Sequence, residues 1–278
     1  MIDLHTHTTA SDGRRTPADL VSCAASSGVT VLAITDHDTV AGCAPAAAAA
    51  AAHGVEIVTG IEISAVRDDL DVHVLGYFIE VQSAALLAFL AEQRRRRLDR
   101  VRRMIERLAA RGIVLDADAI VEPGIHDPSK SVGRPAIARA LVAGRHVATM
   151  DEAFDRWLER GAPAFVAREA VTPEEVIGRI HDAGGLASLA HPALLGRDEW
   201  IPALASAGLD AIEAYYTEHD AARTMHYLAT AARLDLAVTG GSDYHADGAH
   251  GSCRPGSTSL PRDEFEKLKQ RRRSAGPM

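Results

Sequence analysis

Short apolar runs alternate with helix-like patterns along most of this chain, and that alternation restricts it to an α/β architecture built around a mainly parallel sheet. Residues 2–7 read as a first strand. Thr16-Pro17 then supplies a hydroxyl cap and a first-turn proline, opening a helix that Gly28 closes before a second strand over 29–35. Seven consecutive alanines, 46–52, form the next helix because alanine has the highest helix propensity, and Gly54 ends it. Strands over 55–59 and 72–78 follow. The same alternation resumes late in the chain. Val171-Thr172-Pro173-Glu174-Glu175 is a cap, a first-turn proline and a capping-box glutamate, and Gly184-Gly185 stops the helix they start. Strands over 186–190, 211–215 and 236–239 then enclose helices over 200–207 and to 234.

Between these stretches, residues 84–161 are nearly all helical in pattern, which predicts an inserted helical subdomain. Leu87, Leu90, Leu98, Val101, Ile105 and Leu108 form an apolar stripe at helical spacing. The arginines at 94–97 fall on the other faces, where i,i+4 pairs such as Glu92 with Arg96 and Asp99 with Arg103 make them a solvated surface.

Charge and cysteine content bound the function. Thirty Lys+Arg against 38 Asp+Glu give a net charge of −8, which opposes the coating of long nucleic acid, DNA included. Three widely spaced cysteines fit neither a disulfide framework nor a C-x-x-C site. The start MIDLHTHT is not a signal sequence, and no eighteen-residue apolar run occurs. The expectation is a cytoplasmic protein without a membrane partner.

The 13 histidines are the telling component, because most of the distinctive ones fall with acids at the ends of predicted strands. His5-Thr6-His7 ends the first strand, and residues two apart in an extended segment point to one face, so both imidazoles can reach one ion. Asp12 follows in a turn. The second strand ends in Thr35-Asp36-His37-Asp38, the third in Gly60-Ile61-Glu62, and the fourth carries His73. The strand at 186–190 runs into His191-Pro192, and the last runs into Gly241-Ser242-Asp243-Tyr244-His245. Titratable groups converging on one rim of an α/β barrel mark a site. Imidazole and carboxylate without thiolate suit Mn²⁺, Fe²⁺ or Zn²⁺.

The motifs HTH at 5–7, TDHD at 35–38, AHP at 190–192 and SDYH at 242–245 resemble those of the PHP family, the polymerase and histidinol phosphatase group of the amidohydrolase superfamily. The resemblance spans nearly the whole chain and implies a distorted (β/α)7 barrel over 1–83 and 162–278. In that scheme the helical insertion 84–161 forms part of the substrate pocket, and the barrel holds two or three divalent metal ions, Mn²⁺ being the first expectation. It implies that one ion takes His5, His7, Glu62 and Asp243, and that a second shares Glu62 and adds His73 and His191. A third would use Asp12, His37 and His245, although many trinuclear members carry histidine where this chain has Asp12. If that third place is empty, Asp12 and His37 become candidates for proton transfer to the leaving group. Asp36 is expected to orient a ligand histidine, or alternatively to cap a helix. His53, His126, His146, His181, His226 and His250 read as surface or structural residues, whereas His219 faces the same rim as the ligands and is a candidate substrate contact.

Two or three clustered divalent ions suit phosphoester hydrolysis, since they bind a phosphoryl oxygen and activate water. Neither a P-loop nor a G-x-S-x-G elbow is present. The segment Ser129-Lys130-Ser131-Val132-Gly133-Arg134-Pro135, leading into a helix, is a natural anion site. It resembles the corresponding helix start of stand-alone PHP phosphoesterases that act on nucleoside 3′,5′-bisphosphates or on short RNA ends, so Ser129, Lys130 and Arg134 are the candidates for a second phosphate. The resemblance thus implies a phosphatase that removes the 3′-phosphate from a nucleoside 3′,5′-bisphosphate. The alternatives are a 5′-to-3′ exonuclease on short RNA, a histidinol phosphatase, and a non-catalytic metal-holding module.

Overall fold

The computed structural model of the chain describes residues 1–127, 132–167, 171–246 and 254–274. In chain order its regular elements are β1 (Ile2–Asp3), α1 (Pro17–Ser26), β2 (Val31–Ile34), α2 (Cys43–Ala50), β3 (Glu56–Arg67), β4 (Leu70–Tyr77) and α3 (Ala84–Ala109). There follow α4 (Ala117–His126), α5 (Arg134–Ala143), α6 (Met150–Ala153) with a π-turn over Phe154–Leu158, α7 (Pro173–Asp182), β5 (Leu186–Leu189) and α8 (Pro192–Leu195). A 3₁₀ turn at Asp198–Trp200 leads into α9 (Ile201–Ser206), and β6 (Ala211–Tyr216), α10 (Ala221–Arg233), β7 (Ala237–Gly241) and α11 (Arg262–Ser274) complete the chain.

The seven strands form one sheet in sequence order. Its two edges meet through Leu4 N–H to Gly240 C=O, Asp243 N–H to His5 C=O and His7 N–H to Tyr244 C=O, at 2.8–3.1 Å, so the sheet is a nearly closed barrel with helices around it. One strand departs from the parallel scheme: β4 runs antiparallel to both β3 and β5. The cause is local. Strand β3 continues eight residues past Thr59, with Ile61, Ile63 and Ala65 buried, and then reverses at Asp68-Asp69, both of which have positive φ. Two consecutive left-handed residues are the requirement of a tight type I′ hairpin turn.

Leu4, Leu32, Ile34, Ile61, Ile63, Leu75 and Tyr77 of the strands are fully buried, and the Tyr77 hydroxyl donates to the Leu4 carbonyl. Outside the barrel, α1 and α2 lay Leu20, Val21, Ala24, Cys43, Ala46 and Ala50 against Leu32, Ile34 and Val55. The alanine run thus serves as a close-packing surface, although its helix starts at Cys43 and stops at Ala50. Caps act where the residues place them. Thr16 accepts from the Asp19 N–H and Thr172 from the Glu175 N–H, each ahead of a proline in the first turn. In the last turn of α7, His181 Nε2 lies 2.7 Å from Asp210 Oδ2, and that bond raises the imidazole above its ordinary pKa of 6.5. A raised histidine adds stability in full below pH 6.5, and loses it as pH climbs through the folded value. The melting midpoint of wild type is therefore expected to exceed that of His181→Gln by about 1–2 °C in mild acid, the small size reflecting solvent screening, and the gap should close in alkali. A gap that does not change with pH would show that the charge plays no part.

The chain divides into two compact units, Met1–Ala88 with Ala170–Met278, and Phe89–Glu169. The helical unit extends beyond residue 161 because Ala164 and Val166 belong to its core, alongside Val101, Met104, Leu108, Val121, Ile137, Leu141 and Leu158. Along α3 the expected stripe is buried from Leu90 onward, but in the first turn Leu86 is buried and Leu87 exposed. Glu92 pairs with Arg95 and Arg96, and Asp99 pairs with Arg95 and Arg102. Among the described residues no helix is long and apolar enough to cross a membrane.

Candidate metal centre

Nine side chains from both ends and the middle of the barrel unit converge at one rim. His5 and His7 leave β1, and a parallel bridge between Thr6 and Tyr244 aligns them with Asp243 and His245 after β7. His37 follows β2 and forms a bridge with Glu62, which sits in the middle of the long β3 rather than at its end. His73 lies near the start of β4, and the reversed direction of that strand is what brings its early residues to the rim where the parallel strands finish. His191 follows β5 at φ 26°, and Asp243 sits at φ 53°, both in the left-handed region that non-glycine residues seldom adopt.

Glu62 is the hub. Its Oε1 faces His73 Nδ1 at 2.8 Å and His191 Nε2 at 3.2 Å, while its Oε2 faces His37 Nδ1 at 3.1 Å, His7 Nε2 at 3.3 Å and His5 Nε2 at 3.4 Å. Asp243 Oδ1 lies 3.1 Å from His7 Nε2 and 3.3 Å from His5 Nε2. Asp12 Oδ1 lies 3.3 Å from His245 Nε2, and its Oδ2 lies 3.8 Å from His37 Nε2.

Among the described residues, three groups of donor atoms are compact enough to hold an ion: His5, His7 and Asp243; His37, Glu62 and His73; and His7, Asp12, His37 and His245. His191 joins through its contact with Glu62 Oε1. His7 and His37 each stand in two groups, which differs from the partition that the sequence resemblance implies.

The residues fit divalent ions. Donors bound about 2.0–2.2 Å from one ion stand about 3.0–3.5 Å apart across an edge of its coordination shell, which is the spacing seen around Glu62 and Asp243. His5 Nε2, both ring nitrogens of His7, His37 Nδ1 and His73 Nδ1 are moreover buried without a hydrogen bond. Polar atoms buried in that condition are costly unless something compensates them.

Electrostatics prepare the same donors. Burial opposes charge on Glu62, but the imidazoles of His37, His73 and His5 outweigh it and hold the carboxyl well below its usual range. Asp243 is held down in the same way by His5 and His245, and Asp12 by His37 and His245. Burial pushes His37 down to about 3, against the opposing pull of Glu62 and Asp12. His245 resists burial, because Asp12 and Asp243 raise it to about 10. An ion entering beside His245 must therefore displace a proton.

Several expected roles change. Asp36 neither orients a histidine nor caps α2. It accepts from the Thr8 N–H, the Thr8 hydroxyl and the Ser11 hydroxyl, each at 2.7 Å, and so braces the loop that carries Asp12. The helix α2 starts at Gly42 without a side-chain cap. His219 donates Nδ1–H to the Ala214 carbonyl at 3.0 Å and packs between Tyr216 and Tyr227. Burial lowers its pKa, so it is neutral and offers no charge to a phosphate. Arg134 opens α5 with its guanidinium over the Phe154 ring, and Ser129 and Lys130 lie outside the described residues.

Three residues were missed. Glu213 contacts His5 and the His191 backbone; Tyr216 donates its hydroxyl to Asp243 Oδ2 at 3.1 Å; and buried Asp3 accepts from the N–H groups of His5, Ser242 and Gly256 and from the Ser242 hydroxyl. The available signal was a charged residue inside an otherwise apolar strand, as with Glu213 in AIEAYY.

The chain is similar to known proteins in sequence and fold. The family described as PHP domain matches residues 3–112. The chain is 35% identical to the 3′,5′-nucleoside bisphosphate phosphatase of Chromobacterium violaceum, over 94% of its own length and 92% of that protein's. It is 34% identical to the 5′-3′ exoribonuclease Rnm of Escherichia coli, over 87% of this chain and 84% of the other. A solved amidohydrolase from Chromobacterium violaceum, with bound sulfate and no metal, superposes with a TM-score of 0.84 at 34% identity, over 97% of this chain and 96% of that one.

Proposed function

Since the chain belongs to the PHP family of metal-dependent phosphoesterases, we propose that it removes the 3′-phosphate from nucleoside 3′,5′-bisphosphates, releasing nucleoside 5′-monophosphate and phosphate. The observation that carries the choice of substrate is the likeness to a bisphosphate phosphatase over nearly the full length of both chains. The observation that supports the chemistry is Glu62, whose two oxygens face separate sets of imidazoles. A carboxylate so placed suits a pair of ions.

Two or three divalent ions, for which we propose Mn²⁺, would when bound supply Lewis acidity to a phosphoryl oxygen and lower the pKa of water. His5, His7, His37, His73, His191, His245, Asp12, Glu62 and Asp243 are the residues that would hold them. Asp12 and His37 are both proposed as ligands, since they stand with His7 and His245 in one compact group of donor atoms. Asp36 keeps the Asp12 loop in place. Ser129, Lys130 and Arg134 are proposed to take the second phosphate. The neutral His219 is proposed to accept a hydrogen bond from a substrate hydroxyl or N–H group, since its Nε2 has no partner of its own.

The test compares turnover of adenosine 3′,5′-bisphosphate, a short RNA and histidinol phosphate by the Mn²⁺-loaded protein. Fastest release of phosphate from the bisphosphate supports the proposal. Preference for RNA would favour the exoribonuclease reading, which the likeness to Rnm also supports. Turnover of none of them would leave a metal-holding module. Arg134→Ala is expected to raise KM for the bisphosphate about tenfold or more while leaving a simple monophosphate unchanged, because a contact made only by the second phosphate adds binding without altering chemistry. Equal losses on both substrates would remove Arg134 from that role.

A further inference from the structure

Glu213 stands behind the ligand cluster, on β6, with no exposed surface. Its Oε1 lies 3.0 Å from His5 Nδ1, and its Oε2 accepts the backbone N–H of His191 at 2.7 Å. These two partners belong to different parts of the centre. His5 groups with His7 and Asp243, whereas His191 meets Glu62 on the opposite oxygen. Within the barrel unit one carboxylate therefore grips a ring on one side and a strained piece of backbone on the other, His191 being at φ 26°.

We propose that Glu213 is the positioning residue of this centre, fixing the ring of His5 and the backbone of His191 so that both present Nε2 inward. The inference rests on the reading that the clustered side chains hold divalent ions. A carboxylate only accepts, so the proton between Glu213 and His5 sits on Nδ1. That leaves His5 Nε2 as the ring's ligand atom, facing Asp243 Oδ1 at 3.3 Å and Glu62 Oε2 at 3.4 Å. An outer partner of this kind sets the tautomer and raises the basicity of a ligating imidazole. At His191 the bond pins a conformation that a non-glycine backbone would otherwise leave. Both partners of Glu213 are donors, and only a group with two acceptor oxygens serves both.

Glu213→Gln follows directly from that point. An amide of the same shape accepts from one partner and turns its NH₂ toward the other. If it faces His5, it favours the proton on Nε2, where the ion must bind. If it faces His191, the backbone loses its anchor. Mn²⁺ titration of wild type, Glu213→Gln and Glu213→Asp by calorimetry tests the idea, alongside melting of each metal-free protein and ¹⁵N spectra of the Zn²⁺-loaded forms, which report the His5 tautomer. The Gln variant is expected to bind about 10–100-fold more weakly. The Asp variant, which keeps both acceptor oxygens on a shorter arm, is expected to recover part of that loss, and it carries the test should the Gln variant not fold. A lower melting midpoint with wild-type affinity and an Nδ1–H tautomer would make Glu213 a structural brace and overturn the proposal. A wild-type protein that binds no Mn²⁺ or Zn²⁺ would instead overturn the metal reading itself, and this inference with it.

Discussion

Glu62→Ala is expected to lose turnover of any phosphoester by about a hundredfold to a thousandfold, the scale on which deleting one donor acts in a preorganised electrostatic site. The reason is the division of labour between its oxygens. His73 and His191 address one, while His5, His7 and His37 address the other, so a single truncation removes the anion common to five imidazoles. Without it, like-charged rings face one another whenever more than one is protonated, and an ion loses its shared ligand. Elemental analysis of the purified variant, beside phosphate release with added Mn²⁺, checks both halves of the expectation. A variant that keeps its metal and most of its turnover would show that Glu62 is not the bridge.

Gly241→Ala is expected to cost about 3 kcal/mol or more of stability, the upper end for overpacking a rigid site. A Cβ at 241 would lie 2.3 Å from the His5 backbone nitrogen, 2.5 Å from His5 Cβ and 2.8 Å from Asp3 Oδ1. None of these is the end of a flexible chain, and all belong to the seam where β1 meets β7. Relief requires the seam to open, which would move His5, His7 and Asp243 together. Denaturant unfolding of the metal-free variant measures the stability, and its Mn²⁺ affinity measures the site. Wild-type values for both would mean that the seam has slack that its short hydrogen bonds conceal.

Much of the centre could be read from the residues, because its ligands announce themselves. A pair such as His5 and His7, or Asp243 and His245, has little reason to terminate a buried strand unless something polar awaits it. What could not be read is held together by distance along the chain. Glu213 meets His5 across 208 positions, and nothing near Ala211–Tyr216 names that partner. Asp36 misled for a related reason. Its neighbours in sequence are His37 and Asp38, but its hydrogen bonds go to Thr8 and Ser11. The direction of β4 was hidden by a local ambiguity. An apolar run that continues to Arg67 and a two-residue turn at Asp68-Asp69 specify a hairpin, whereas a strand cut short at Thr59 left room for a crossover. The roles of Ser129 and Lys130 fall outside the described residues and stay with the sequence argument.

The seam between β1 and β7 also sets an order of events. Asp3 holds Ser242 across 239 positions, and beside that contact His5 and His7 meet Asp243 and His245. A polypeptide made from its amino terminus displays His5 and His7 well before their counterparts, which arrive only when the last strand has been synthesised. Before then the nascent chain offers an ion isolated imidazoles, which bind weakly, whereas the finished barrel offers a preassembled set. The complete donor set is thus a product of closing the sheet, and its two halves come together only where the first and last strands have found each other.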